Sequence, residues 1–247
     1  PQTPRGARGT DRLGGPGATP PVPGPPAFLL TLCVLGFALV TWQVAADGPL
    51  RRLDERVGRG ARGQLLPAPL AEFLADLGGL AVALPVLALA VGYAGWRLWR
   101  TGARWWWGVP LAGAVAMAAV PAAIAPVKAL IDRPAPPGPL AGTDGFYPSG
   151  HTATAAVAYG AAALLLRCAA ARSRRPARRP SVAVRLALVL LNAGVGLGLV
   201  VRGYHWPLDV LGSWCLSGVL LLGLSLLCRR LPHPAPEAER PGPRGGQ

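Results

Sequence analysis

Long apolar runs alternate along the chain with short stretches rich in arginine, proline and glycine. The runs lie near residues 27–46, 70–98, 106–131, 152–171, 182–201 and 207–228, and each is close to the ~20 residues that a helix needs to cross a bilayer. The pattern predicts an all-α polytopic membrane protein, a bundle of about six transmembrane helices. The first run could be read as a secretory signal, because Val44-Ala45-Ala46 resembles a cleavage site. Its apolar stretch is longer than a typical ~7–15-residue signal core, so we read it as an uncleaved helix. Residues 1–26 and 232–247 are dominated by Pro, Gly, Arg and other polar residues and cannot bury enough apolar surface to order themselves. They are expected to be disordered tails around one membrane domain, residues 27–231.

Two polar features modify this outline. Between the first two runs, Leu50, Leu53 and Val57 recur at helical spacing among Arg51, Arg52, Arg56, Arg59 and Arg62. This segment is either an interfacial helix resting on anionic head groups or a solvated loop with incidental arginines. Trp105, Trp106 and Trp107 fall where an aromatic belt anchors a helix at the membrane surface.

Composition agrees with a bilayer setting: 51% of the 247 residues are apolar and the mean hydropathy is +0.37. The formal charge of +14 does not indicate a nucleic-acid partner, because the basic residues are scattered between apolar runs and not gathered on a water-exposed domain. Their distribution predicts topology instead. Of the 25 Lys and Arg residues, 17 fall on the side that carries both termini, which places the termini in the cytoplasm of a cell whose plasma membrane holds the protein. The loops after the third and fifth membrane helices then face the extracytoplasmic side. Cys33, Cys168, Cys215 and Cys228 show no paired spacing and read as packing residues.

The candidate chemistry sits in those two outward loops. Of three histidines, His233 lies in the C-terminal tail, whereas His151 and His205 each mark a junction of loop and helix. Pro148-Ser149-Gly150-His151 places a hydroxyl and backbone N–H groups at the mouth of a helix, where the dipole favours an anion; the simpler alternative is an ordinary helix cap. In His205-Trp206-Pro207-Leu208-Asp209 the carboxylate follows the imidazole by four residues. It can accept the proton of one ring nitrogen and leave the other to attack. Lys128, Arg133 and Arg202 add positive charge on the same face, as phosphoryl transfer requires. Gly194, Gly196 and Gly198 carry no chemistry in this reading and serve close helix packing.

Taken together, these residues resemble the type 2 phosphatidic-acid phosphatase superfamily of lipid phosphate phosphatases. Its pattern is K-x6-R-P, then P-S-G-H, then S-R-x5-H-x3-D. The resemblance runs from Lys128 to Asp209 and is complete at Pro148-Ser149-Gly150-His151 and at His205 and Asp209. It implies a six-helix membrane fold and hydrolysis of a lipid phosphate or diphosphate. Isoprenyl diphosphate, phosphatidic acid and phosphatidylglycerol phosphate are the candidate classes. In that reaction His205 is the nucleophile, Asp209 orients it, and His151 is the acid and later the base. No metal or other cofactor is implied.

The sequence departs from the pattern at Ala135 and at Gly198-Leu199, where the family has arginines. Arg133, two residues before Ala135, and Arg202, one helical turn beyond Leu199, are expected to take over the phosphate, with Lys128, Ser149 and Gly150. The rival readings are a catalytically silent lipid-phosphate binding or transport protein on the same scaffold, and a soluble haloperoxidase-like enzyme. The six spans oppose the latter.

Overall fold

A computed structural model describes residues 24–172 and 182–231 of the chain. The tails read as disordered fall almost wholly outside the described residues. Among the described residues eight helices follow in order: α1 (Pro25–Ala45), α2 (Pro49–Ala61), α3 (Ala68–Asp76), α4 (Leu80–Arg100), α5 (Gly108–Ile131), α6 (Gly150–Arg172), α7 (Val182–Val201) and α8 (Pro207–Arg230). Six of them, all but α2 and α3, are long and apolar enough to cross a membrane. The protein is an integral membrane protein of the all-α class, as the hydropathy pattern predicts. Proline sits in the first turn of α1, α2 and α8, where its fixed φ suits the helix and its missing N–H costs nothing.

Helix α6 is the centre of the bundle. It packs against α4, α5, α7 and α8, and from Thr152 to Tyr159 every residue is buried. Its small side chains, Ala153, Ala155, Ala158, Ala161 and Ala162, let four neighbours approach one axis, which is how helices associate where solvent provides no hydrophobic drive. The outer helices present large apolar side chains outward, among them Leu35 on α1, Leu89 on α4 and Val189 on α7. Hydrocarbon is the solvent that such surfaces suit.

The run at 70–98 is not one helix. It breaks at Leu77-Gly78-Gly79, so α3 is a separate short helix before α4. Close packing explains the break: a Cβ on Gly78 would fall 2.7 Å from Val195 and 3.0 Å from the His151 carbonyl oxygen. On α7, Gly198 meets α3 backbone, since a Cβ there would lie 2.5 Å from the Ala71 carbonyl oxygen. The arginine-rich segment forms α2, so its helical alternative holds. Leu50, Leu53 and Val57 are exposed, and the buried face is Asp54, Gly58 and Ala61.

Candidate active site

The site is assembled where α8 begins. Trp206 is the residue before that helix and Pro207 its first residue, which places Asp209 in the first turn, where the helix dipole favours a carboxylate. Asp209 folds back on the entering chain: its Oδ2 accepts the Trp206 backbone N–H at 3.0 Å and lies 3.2 Å from His205 Nδ1. Asp209 is fully buried and His205 nearly so. A carboxylate can only accept, so in the neutral ring Nδ1 carries the proton and Nε2 the lone pair.

Behind Asp209 lies a second layer of charge. Arg133 Nη1 donates to Asp209 Oδ1 at 2.6 Å, and Arg133 Nη2 donates to Asp54 Oδ2 at 2.5 Å. The guanidinium is only 1% exposed and lies 5.4 Å beneath the Trp206 ring. Asp54 Oδ1 accepts the Leu208 N–H at 2.7 Å. Burial lifts the Asp54 carboxyl above its ordinary range, and the adjacent Arg133 offsets this only in part. Arg133 is expected from the sequence to grip phosphate; in the structure both of its terminal nitrogens face carboxylates. The cause is local: Asp132 adopts a left-handed conformation (φ 43°) at the end of α5, which turns the next residue inward toward α8 and not along an extended edge.

In front of His205 stands the start of α6. The Ser149 N–H donates to the Asp209 carbonyl at 3.1 Å, and Ser213 Oγ donates to the Ser149 carbonyl at 2.8 Å, so the two histidine-bearing junctions are tied by backbone contacts. Ser149 is fully buried and its Oγ accepts the Thr152 N–H at 3.3 Å, which is the helix-cap arrangement. Lys128 Nζ donates to the Gly145 carbonyl at 2.5 Å and lies 5.9 Å over the Phe146 ring. The His205 ring is 5.5 Å from that same Phe146, so Lys128 and His205 flank one aromatic side chain. Next to it, Tyr147 is buried against Thr41, and burial pushes its hydroxyl up to about 12.

Lys128, Gly150 and His151 form the polar end of a cavity of about 900 Å³. It runs between α4, α5 and α6, past Leu87, Met117 and Val120 to Val91 and Ala114. The rise of α5 from Lys128 to Ala114 is ~21 Å. Arg202 lies just beyond α7, and its Nε donates to Glu72 of α3 at 2.5 Å. The Tyr204 hydroxyl donates to the same carboxylate at 2.9 Å. Leu199 is core and provides no polar group.

Sequence reasoning missed Asp54 and Glu72. The first sits in an arginine-rich segment, the second in a run read as a membrane span. A usable signal existed for Asp54, because it shares with Gly58 and Ala61 a stripe of small or acidic residues at helical spacing.

Three comparisons bear on this geometry. A family model described as the PAP2 superfamily matches residues 107–231, slightly more than half of the chain. No curated protein matches. Among solved structures, one described as the first transmembrane PAP2-type phosphatidylglycerolphosphate phosphatase, from Bacillus subtilis, is similar with a TM-score of 0.65 at 20% identity. The alignment covers 81% of this chain and 94% of that one.

Proposed function

The chain belongs to the PAP2 superfamily, and from that premise we propose that it hydrolyses the phosphate or diphosphate of a lipid through a phosphohistidine on His205. The carrying observation is the buried contact of His205 Nδ1 with Asp209 Oδ2 at 3.2 Å, which fixes the tautomer that an attacking Nε2 requires. The single membrane domain of residues 27–231 holds this site. Lys128 and the N–H groups of Gly150 and its neighbours receive the equatorial oxygens, with Ser149 shaping that turn as its cap. Arg202 supplies a second cation from the loop before His205. The excess of Arg on the opposite side of the membrane supports a site that faces outward from the cytoplasm.

In the first step the Nε2 lone pair forms a bond to phosphorus while the P–O bond to the lipid breaks, and His151 gives its proton to the leaving oxygen. In the second step water attacks phosphorus, the P–N bond breaks, and His151 takes the water's proton. Neither step calls for a metal or a cofactor. The cavity receives the hydrocarbon of the lipid. Its lining is almost wholly apolar, so isoprenyl diphosphate, phosphatidic acid and phosphatidylglycerol phosphate all remain candidates.

One observation favours a second reading. Ala135 and Leu199 place no cation where family members have arginines, and Arg133 is committed to carboxylates, so a binder with weakened or absent turnover would look similar. The test measures phosphate release from those three lipids in detergent micelles by the wild type and by His205→Ala, together with an acid-labile phosphoenzyme after rapid quenching. Release and phosphoenzyme in the wild type alone are expected. Equal rates in the two proteins exclude histidine catalysis, and lipid binding without release identifies the binder.

A further inference from the structure

The buried charges behind Asp209 reach further than the orientation of one imidazole requires. Asp54 comes from α2, Arg133 from the loop after α5, and Asp209 from α8, and they meet as carboxylate, guanidinium and carboxylate with side-chain exposures of 2%, 1% and 0%. A guanidinium suits this arrangement, because its planar fork presents a separate terminal nitrogen to each of the two carboxylates. Trp206 covers the guanidinium and is itself pinned, its Nε1 donating to the Pro134 carbonyl at 3.1 Å. Helix α2 sits directly on that indole: a Cβ on Gly58 would lie 2.8 Å from the Trp206 ring. The same helix meets one of the otherwise unpartnered N–H groups of the first turn of α8, through Asp54 and Leu208.

Resting on the phosphohistidine reading above, we infer that Arg133 and Asp54 are positioning residues: an alternating chain of charges, His205, Asp209, Arg133 and Asp54, sets the orientation and basicity of the nucleophile and anchors it to the surface helix α2. The charge count supports this. With both carboxylates ionised, the three groups behind the imidazole carry a net single negative charge, which balances the positive charge that a phosphorylated imidazole gains. Without Asp54, the guanidinium would cancel Asp209 and leave that positive charge unbalanced. Without Arg133, two carboxylates would face each other in a buried space. Other charged or titratable groups around the pair are Lys128 from α5, Tyr147 from the loop before α6 and His151 from α6. On the α3 and α7 side stand Glu72 and Arg202, which engage each other.

The test uses the full chain in detergent with ¹⁵N-histidine. Only three imidazoles then report, and His151→Gln and His205→Gln assign two of them. The chain of charges predicts opposite signs. Asp54→Asn leaves Arg133 unbalanced and moves the His205 titration midpoint to lower pH, whereas Arg133→Met exposes His205 to two carboxylates and moves it to higher pH. A role in packing alone would send both variants the same way, toward a solvent-exposed imidazole, and that result overturns the inference, as does no movement. Arg133→Gln, which also removes the charge but keeps hydrogen-bond donors, should move the midpoint to higher pH as Arg133→Met does and stands in if Arg133→Met fails to fold.

The activity readout is separate, with dioleoyl phosphatidic acid in micelles as the probe. Asp54→Asn should lower kcat by about ten-fold or more, as loss of an outer partner of an oriented imidazole does, with KM nearly unchanged. Inhibition by inorganic phosphate should persist in Arg133→Gln, whereas its loss would return Arg133 to the phosphate and sink the proposal. If the wild type shows no turnover, the proposed function fails while the imidazole titrations still decide the inference.

Discussion

The two sides of His205 are built by opposite rules. Behind it, between α2 and α8, almost every polar atom is committed: Asp209 holds His205, Trp206 and Arg133, and Asp54 holds Arg133 and Leu208. In front, between α4, α5 and α6, lies a cavity of about 900 Å³ whose polar groups are gathered at one end with Lys128 and His151. Burying three charges is tolerable only if each is paired and hydrogen-bonded, so that side admits little variation. The other side offers shape and apolar area, which would be tolerant of chain length and branching in whatever apolar group it received. Under the proposed function, the contrast assigns precision to the reacting head group and permissiveness to the lipid tail.

Substitutions on the two sides should therefore fail in different ways. The largest effect is expected at the polar end of the cavity. His151→Ala should lower the rate of phosphate release by about 10²–10⁴-fold, the usual share of a general acid and base, with its fold intact by circular dichroism. On the committed side, Asp209→Ala should destabilise the protein by about 3–5 kcal/mol, because Arg133 loses one of its two carboxylates in a buried space; chemical denaturation in detergent reads this out. A comparable loss of stability from a substitution in the cavity would erase the contrast.

Within the cavity, Ala118→Trp should act through the tail alone. Displacing two methylenes at ~0.8 kcal/mol each raises KM by about ten-fold or more for a long-chain phosphatidic acid. A short-chain, water-soluble phosphate ester should be hydrolysed as before. Equal loss with both substrates would mean that the cavity does not take hydrocarbon. The smallest effect is expected at Ser149→Ala, which removes the cap of α6 and should cost about 1 kcal/mol of stability, read as a lowered thermal midpoint. A much larger fall in turnover than in stability would instead give Ser149 a direct role on the substrate.

These contrasts also separate what could be read in the sequence from what could not. The spans were legible because lipid demands long apolar runs, and the pairing of His205 with Asp209 was legible because four residues across a loop and one helical turn is a local distance. The helical character of α2 was half visible in the spacing of Leu50, Leu53 and Val57. By contrast, Arg133 and Asp54 are 79 positions apart, and no local rule connects them. The inward turn at Asp132 hides the same contact, since an extended segment and a left-handed residue there share a sequence but aim Arg133 in different directions. The division of residues 70–98 into α3 and α4 was signalled by Gly78-Gly79, but hydropathy averages over such a pair. Glu72 was hidden for the same reason.

The descent of α2 onto the start of α8 also bears on which fragments of the chain can stand alone. A piece beginning after α4 would retain His151, His205 and Asp209, yet it would lack Asp54, the counter-charge of a sealed-in arginine, and α4, a wall of the apolar cavity. Its expected fate is insertion without a settled interior. Residues 24–100 are thus as much a part of the setting of His205 as the loop that bears it, and truncation is a harsher change than any single replacement discussed above.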